Sequence, residues 1–414
     1  MTLIKTSILT FIATLARLCS GLVINKAVAI FIGPNGLALI GHFQNFIQLA
    51  MIFAQGAINT GVTKYTAEYG RESENLPQLF GTAVKISATC SVSVGLLMVF
   101  LSRFASRKFF DSDEYGYVFV VFGFTIILFV FNSLLLSILN GLKEIRIFIS
   151  ANIIQSVFGL FYTATLIYFF TLDGVLVALV TNQSVVFIAL LFYISKKNIV
   201  CWASFKGGFD CQTGKKLSKY ALMAVVSGVC TPVSHMLVRD YIGEEVGWDE
   251  AGYWQAVWYI STMYLMVVTT ALSTYYLPRL SEIKDKLELR NELIAGYRII
   301  FPIVVLLAFS IFLLKDLIIY LLFTDEFNPM RELFLWQLVG DVLKISSWLV
   351  AYLLIARAKT KMYVISEVLF SVSFVALSCV CVSLFGLIGV TYAFAVNYLL
   401  YFVAVSLLVR NEIF

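Results

Sequence analysis

Charge is what this sequence has least of. Asp, Glu, Lys and Arg make up 13% of its 414 residues, about half their share in a soluble domain, while 60% of the chain is hydrophobic. So apolar a chain cannot hide its side chains in one water-bounded core, so most of its surface must face lipid. Histidine is nearly absent (His42 and His235), and the seven cysteines (Cys19, Cys90, Cys201, Cys211, Cys230, Cys379 and Cys381) form no Cys-x-x-Cys pair. A metal site is therefore not expected, and the cysteines read as small apolar residues of helices. No Walker A loop is present, which excludes ATP as the direct energy source. No HExxH, GxSxG or paired-carboxylate cluster appears, and no loop is long enough for a soluble catalytic domain. An enzyme is disfavoured and no cofactor is expected. The net charge of +5 is scattered over short loops rather than gathered in one stripe, which argues against nucleic acid.

What is present is a succession of apolar segments. A helix needs about 20 apolar residues to cross the hydrocarbon. Twelve stretches qualify, near 7–32, 37–60, 79–102, 116–140, 147–171, 174–195, 217–241, 251–276, 294–314, 333–356, 362–385 and 387–409. Segments of this length satisfy their backbone in lipid only as helices; barrel strands would be half as long and would alternate. The fold class is all-α and polytopic. Lys5 followed by an apolar run resembles a signal peptide, but Arg17 interrupts the run and no small-residue cleavage site follows. The first stretch is read as a membrane helix.

Basic residues orient the spans. With both termini and the loops after every even-numbered span on one side, that side collects about 20 of the 30 Lys and Arg residues, and is cytoplasmic by the positive-inside rule. The other side holds about six, Arg103, Arg107, Lys108, Arg239, Lys315 and Arg331. An internal repeat supports the count. A shift of 216 places Gly36 on Gly252, Lys143 on Lys359 and Ser150 on Ser366, and a shift of 215 places Gly174 on Gly389 and Asn182 on Asn397. Six helices per repeat give both halves one orientation, related by a pseudo-two-fold axis along the membrane normal. The expected organisation is a lobe over 1–195, a basic linker over 196–216 and a second lobe over 217–414.

Polar residues in hydrocarbon are costly and should face protein or water. In the second span Gln44, Asn45, Gln48, Gln55, Asn59 and Thr63 fall within an arc of about 100°. The seventh carries Ser227, Thr231, Ser234 and His235, and the eighth Gln255, Tyr259, Thr262, Ser273 and Tyr276. These stripes predict a wet cavity between the lobes, the alternative being hydrogen bonding between helices of one lobe. Intramembrane ionisable residues are few: Arg17, Lys26, Lys85, Asp341, Lys344 and Glu367. Each would cost roughly 2.5–3.5 kcal/mol facing lipid. Asp341 and Lys344, spaced i,i+3 beside Gln337 and Trp348, suit a structural ion pair or a coupling role, and Glu367 either pairs or titrates. Lys26 and Arg17 lie about 180° apart on their helix. Lys26 is read as an anion ligand, whereas Arg17 and Lys85 are near enough to the cytoplasmic end to snorkel. Pro232 should kink the seventh span, as a gate or as a static bend.

Several stretches resemble the polysaccharide-unit flippases of the multidrug/oligosaccharidyl-lipid/polysaccharide exporter (MOP) superfamily. They are the Ser7 to Lys26 region with its Asn25-Lys26, Gly33-Pro34-Asn35-Gly36, Gly56 to Tyr69, Leu277-Pro278-Arg279-Leu280, and Met330 to Lys344. The resemblance covers essentially the whole chain and extends to the O-antigen unit translocases and the lipid III flippases. Gly41 to Phe46 leans toward the O-antigen branch. It implies a V-shaped pair of six-helix bundles around a cationic cavity in a bacterial inner membrane. The substrate would be an undecaprenyl-pyrophosphate-linked oligosaccharide, flipped to the periplasmic leaflet by alternating access, with ion-gradient coupling. A polysaccharide polymerase and a chain-length regulator would be partners. Such a cavity needs cations for pyrophosphate and amides, hydroxyls and aromatics for sugars. From helical faces, Lys26 is the first choice for the pyrophosphate, with Arg239 and Arg331 as exit-side candidates. Gln48, Gln55, Asn59, Gln255 and Tyr259 are candidates for the sugars. A drug/cation antiporter of the same superfamily would show an acidic focus instead. A polymerase or ligase would need a large periplasmic loop with catalytic Arg or His, which the sequence lacks.

Overall fold

The computed structural model describes residues 3–71, 73, 75–197, 207–272, 276, 279–280, 283, 285–357 and 359–413. Lys206 and Cys201 of the basic linker, Ser273 of the eighth-span stripe, and Leu277 and Pro278 of the quoted motif lie outside them, as does the side chain of Ser227. Among the described residues there are helices and no strand. They are α1 (Leu3–Phe31), α2 (Gly33–Ala54), α3 (Asn59–Tyr69), α4 (Leu76–Phe100), α5 (Ser102–Phe110), α6 (Gly116–Gly141), α7 (Ile145–Lys197), α8 (Cys211–Glu245), α9 (Trp248–Ala271), α10 (Lys286–Leu313), α11 (Lys315–Leu322), a 3-10 stretch over Asp325–Leu333, α12 (Phe334–Ala356), α13 (Thr360–Phe385) and α14 (Ile388–Ile413).

Nine of the described stretches are long and apolar enough to cross a membrane. One of them, within α7, contains two spans joined at Thr171, whose φ of 48° and ψ of −120° are not helical. The helices α8 and α9, at 35 and 24 residues, have the length to cross as well but are not among the nine. Counting both arms of α7 and adding α8 and α9 gives the twelve spans read from the sequence. Large apolar side chains face outward along them, Phe100 at 82% exposure and Phe124 at 71% among them. On a water-soluble surface such a density would mark an interface; on spans of this length it marks lipid.

The second span differs from expectation. A single helix over 37–60 would place Gln44 through Thr63 on one arc, but α2 ends at Ala54 and the chain breaks before α3. Gly56 and Ala57 both take positive φ, 62° and 51°. Such a break is tolerated at membrane depth where protein covers the backbone. Here Ala57 is buried, and Ile58 sits in a core with Leu79, Phe80 and Ile138.

The chain forms two compact units. One holds Met1–Phe31 and His42–Pro232, the other Ile32–Gly41 and Val233–Phe414. The described end of the basic linker therefore packs with the first unit. The amide of Asp210 donates to Thr82 Oγ1 on α4 at 3.0 Å. Asp210 also caps α8, accepting from the backbone and hydroxyl of Thr213 at 2.8 and 2.6 Å. Those bonds hold its carboxyl below the usual range, so the cap persists through that range and is lost only as the pH falls below it.

Each unit contains the same tight hairpin. In the first, the arms of α7 meet through Tyr162 and Thr181 at 3.0 Å, and a Cβ on Gly174 would stand 2.0 Å from the Leu166 carbonyl oxygen. In the second, α13 and α14 meet through Phe374 and Phe394, and a Cβ on Gly389 would stand 2.1 Å from the Cys381 carbonyl oxygen. Gly174 and Gly389 are the pair that the internal repeat superposes.

Candidate functional site

In the first unit the polar residues of the second span divide. Gln48 stays exposed, and Lys26 on α1 is half-buried. Asn59, just past the helix break, donates to Gln55 Oε1 and to Ser133 Oγ on α6, both at 2.8 Å. Thr63 donates to the Ser137 carbonyl at 3.1 Å. Gln55, Asn59 and Thr63 thus take part in a hydrogen-bonded seam that joins α3 to α6, the alternative the sequence left open.

A cavity of about 390 Å³ opens between α1 and the two arms of α7. Arg17 and Ser20 line it from α1; Asn152 and Gln155 come from the first arm, Asn182 and Gln183 from the second. Arg17 Nη2 donates to Asn152 Oδ1 at 3.2 Å. Asn152 is oriented for this by its own amide, which donates back to the Phe148 carbonyl at 2.8 Å. By its place in the sequence Arg17 is near enough to the cytoplasmic end to snorkel. Its partner lies 135 residues away, where helical position alone cannot point.

The second unit carries a buried polar and aromatic cluster. Arg239, 1% exposed, donates from Nη2 to Gln255 Oε1 and lies 5.6 Å from the Trp254 ring centre. Its Nε and Nη1 have no hydrogen-bond partner. The two candidates, read as separate contacts, are thus one enclosed pair. His235 stacks on Trp254 at 5.4 Å and meets Trp258 at 4.0 Å, while Tyr259 on the same helix is half-buried.

Asp341 is fully buried on α12 and accepts from Ser261 Oγ at 2.6 Å and Tyr264 OH at 2.9 Å, both on α9. Lys344 turns elsewhere, its Nζ lying 4.8, 5.1 and 5.8 Å from the ring centres of Trp258, Trp348 and Tyr398. The direct i,i+3 ion pair expected from their spacing is therefore not the contact either group makes. Neutral hydroxyls on α9 bond one carboxylate oxygen, Oδ2, while Oδ1 has no hydrogen-bond partner, and three aromatic rings surround the ammonium. Glu367 accepts from Tyr401 OH at 3.4 Å. Asn397, the repeat partner of Asn182, is buried, and Oδ1 of both lacks a hydrogen-bond partner. Pro232 is buried inside α8, and the boundary between the compact units falls directly after it.

Arg331 lies apart from this cluster. It pairs with Asp316 at 2.6 Å with both side chains more than half exposed, at 57% and 54%. Exposed pairs contribute little to stability. Arg331→Ala is expected to leave the melting temperature in detergent unchanged; a fall of several degrees would show that the pair holds the fold. Among the described residues no group of His, Cys, Asp and Glu could hold a metal ion.

A family of polysaccharide biosynthesis proteins matches residues 3–284. The chain belongs to this family. Two similar relatives named lipid III flippases, from Escherichia coli (strain K12) and Shigella flexneri, are each 29% identical over 402 residues, spanning 97% of this chain and 97% of theirs. Among solved structures, an inward-facing multidrug resistance MATE family transporter of the MOP superfamily superposes with a TM-score of 0.78 at 14% identity, over 96% of this chain and 98% of that one. The lipid II flippase MurJ in an inward closed conformation superposes with a TM-score of 0.74 at 14% identity, over 98% of this chain and 87% of that one. At such identities the likeness is one of fold. This family member is a multi-span helical membrane protein with the MOP fold, and its relatives are flippases and transporters, not enzymes.

Proposed function

We propose that this protein flips a lipid-linked oligosaccharide across a bacterial inner membrane, from the cytoplasmic to the periplasmic leaflet. The cavity between α1 and α7 is the observation that carries this reading. It presents one guanidinium and four carboxamides and, among the described residues, no carboxylate. A drug cation would ask for the reverse polarity. The full-length similarity to lipid III flippases supports the same class of cargo. The lipid carrier is a polyprenyl pyrophosphate, too polar at its head to cross hydrocarbon unaided. An O-antigen repeat unit is the glycan favoured by Gly41 to Phe46, and a lipid III-type glycan the one favoured by the named relatives.

In this reading both termini are cytoplasmic and two six-helix lobes alternate in access. Lys26, Gln48 and Tyr259 contact the substrate. Arg239 and Gln255 form a closed pair that opens toward the exit side, where Arg331 also lies. Pro232, lacking one backbone donor, is the bending point. Asp341, Lys344 and Glu367 couple transport to an ion gradient. A polymerase and a chain-length regulator receive the product.

Deleting the gene should make a lipid-linked intermediate accumulate on the inner leaflet. Strains lacking a lipid III flippase, and others lacking an O-antigen unit translocase, should reveal the glycan by which of them the gene rescues. Rescue of neither, with dye efflux in vesicles, would favour the antiporter. Asp341→Asn preserves the shape that Ser261 and Tyr264 recognise and removes the charge. Folded Asp341→Asn protein is expected to lose the gradient dependence of flipping in proteoliposomes; unchanged dependence would remove Asp341 from coupling.

A further inference from the structure

We infer that each compact unit holds one anionic phospholipid of the surrounding bilayer, its phosphate seated on Lys85 of α4 in the first unit and on Arg298 of α10 in the second. Such a site requires only the membrane spans and is independent of the cargo.

Lys85 and Arg298 are both exposed, and both belong to helices long and apolar enough to cross a membrane. The opposite side of α4 buries Leu79, Phe80, Ala83 and Ser87, and that of α10 buries Leu289, Leu293 and Val304. Exposed apolar side chains surround the two bases, Val92 and Leu96 on α4 and Ile294, Ile299 and Phe301 on α10. On such a surface the neighbours are lipids.

These two bases also differ from the other exposed ones in what they meet. Arg71, Arg107, Arg279 and Arg331 each pair with a carboxylate of the protein at 2.6–3.1 Å. Among the described residues Lys85 and Arg298 meet none. A base on a lipid-facing side is costly without an anion, and headgroup phosphate is the anion that this surface offers.

Their depth suits that partner, and it is the same in both halves. A shift of 213 places Lys85 on Arg298 and Leu101 on Leu314. The two leucines end α4 and α10 with nearly one backbone conformation, φ −93° and ψ 10° in the first, φ −92° and ψ 5° in the second. Each base stands sixteen residues before its helix end, about 24 Å along the axis. In hydrocarbon about 30 Å thick that leaves the Cα about 6 Å inside the opposite boundary, a gap that an extended Lys or Arg side chain spans. The Cα–Cβ bonds of a helix tilt toward its N-terminus. For α4 and α10 that end enters the leaflet which the basic loops mark as cytoplasmic, so both side chains lean toward one headgroup layer. On α10 the preceding residue, Tyr297, donates to the Ser346 carbonyl on α12. A lipid on Arg298 therefore borders a contact that holds the second unit together.

The test uses the purified full-length protein, delipidated in detergent and titrated with phosphatidylglycerol or phosphatidylethanolamine while native mass spectrometry counts the lipids retained. Phosphatidylglycerol is anionic, whereas the ammonium of phosphatidylethanolamine competes for its own phosphate. Two phosphatidylglycerol molecules should be retained per chain, each about fivefold more tightly than phosphatidylethanolamine, the ratio that one base near the membrane surface supports. Lys85→Gln and Arg298→Gln should each remove that preference at one site, and the double variant at both. Lys85→Arg and Arg298→Lys should keep it. Arg71→Gln removes a base that has its own carboxylate, Glu144, and should change neither the count nor the preference. Phosphatidylglycerol should also raise the melting temperature of the wild type more than that of the double variant. Equal retention of the two lipids, or an unchanged preference in the folded double variant, would overturn the proposal. Loss of the preference in Arg71→Gln would reduce it to general positive charge and overturn it too.

Discussion

Gly174→Ala and Gly389→Ala are each expected to abolish accumulation of folded protein. The added methyl group would stand 2.0 Å from the Leu166 carbonyl oxygen in one case and 2.1 Å from the Cys381 carbonyl oxygen in the other. In both, the obstructing atom is helix backbone, which cannot rotate aside as a side-chain tip does. Relief requires the hairpin arms to part. Between α13 and α14 that would loosen the contacts of Phe374 with Phe394 and of Phe370 with Tyr401. A radial gap of about 0.5–1 Å already forfeits a quarter to a half of each dispersion well. The cost should be at least about 3 kcal/mol, the upper range for overpacking. Size-exclusion profiles and melting curves in detergent measure it. Gly208→Ala is the control, since no atom lies within 4 Å of its added methyl. Hairpin variants that melt within a few degrees of wild type would refute the close approach.

Gln255→Leu should destabilise the protein on the order of 2–4 kcal/mol, because it strands a buried charge. Gln255 Oε1 accepts the Arg239 hydrogen bond, while Nε and Nη1 of that guanidinium already lack partners. The Trp254 face, 5.6 Å away, compensates only in part. Gln255→Glu is expected to melt at or above the wild-type temperature, since a carboxylate supplies the counter-charge, and to flip poorly because the guanidinium is then occupied. Arg239→Leu combined with Gln255→Leu should recover much of the loss, as replacing both members of a buried polar pair by apolar groups often does. A double-mutant cycle in detergent gives the coupling directly. If Gln255→Leu melts like the wild type, the pair does not bear on stability.

The spans were legible because each repeats one physical requirement, enough apolar length to cross hydrocarbon. The repeat was legible too, and its two glycines occupy the same close approach, each against the carbonyl eight residues earlier. The break at Gly56 and Ala57 was not, because hydropathy carries no record of a positive φ. The partner of Arg17 was not legible for a different reason. A helical wheel gives the direction of a side chain but not which distant helix meets it, and α7 meets it here. Asp341 and Lys344 show the same limit. Their spacing allowed a mutual contact, yet Ser261 and Tyr264 on α9 compete for the carboxylate, and three aromatic rings compete for the ammonium.

The basic loop is the seam at which one would cut this chain in two, yet the compact units do not divide there. A nick within 198–206 would leave Ile32–Gly41 on the piece to which it does not belong, and strip residues 207–232 from the piece to which they do. Neither fragment would then coincide with a compact unit, so a nick in the basic loop and the boundary of the fold are different places in this chain.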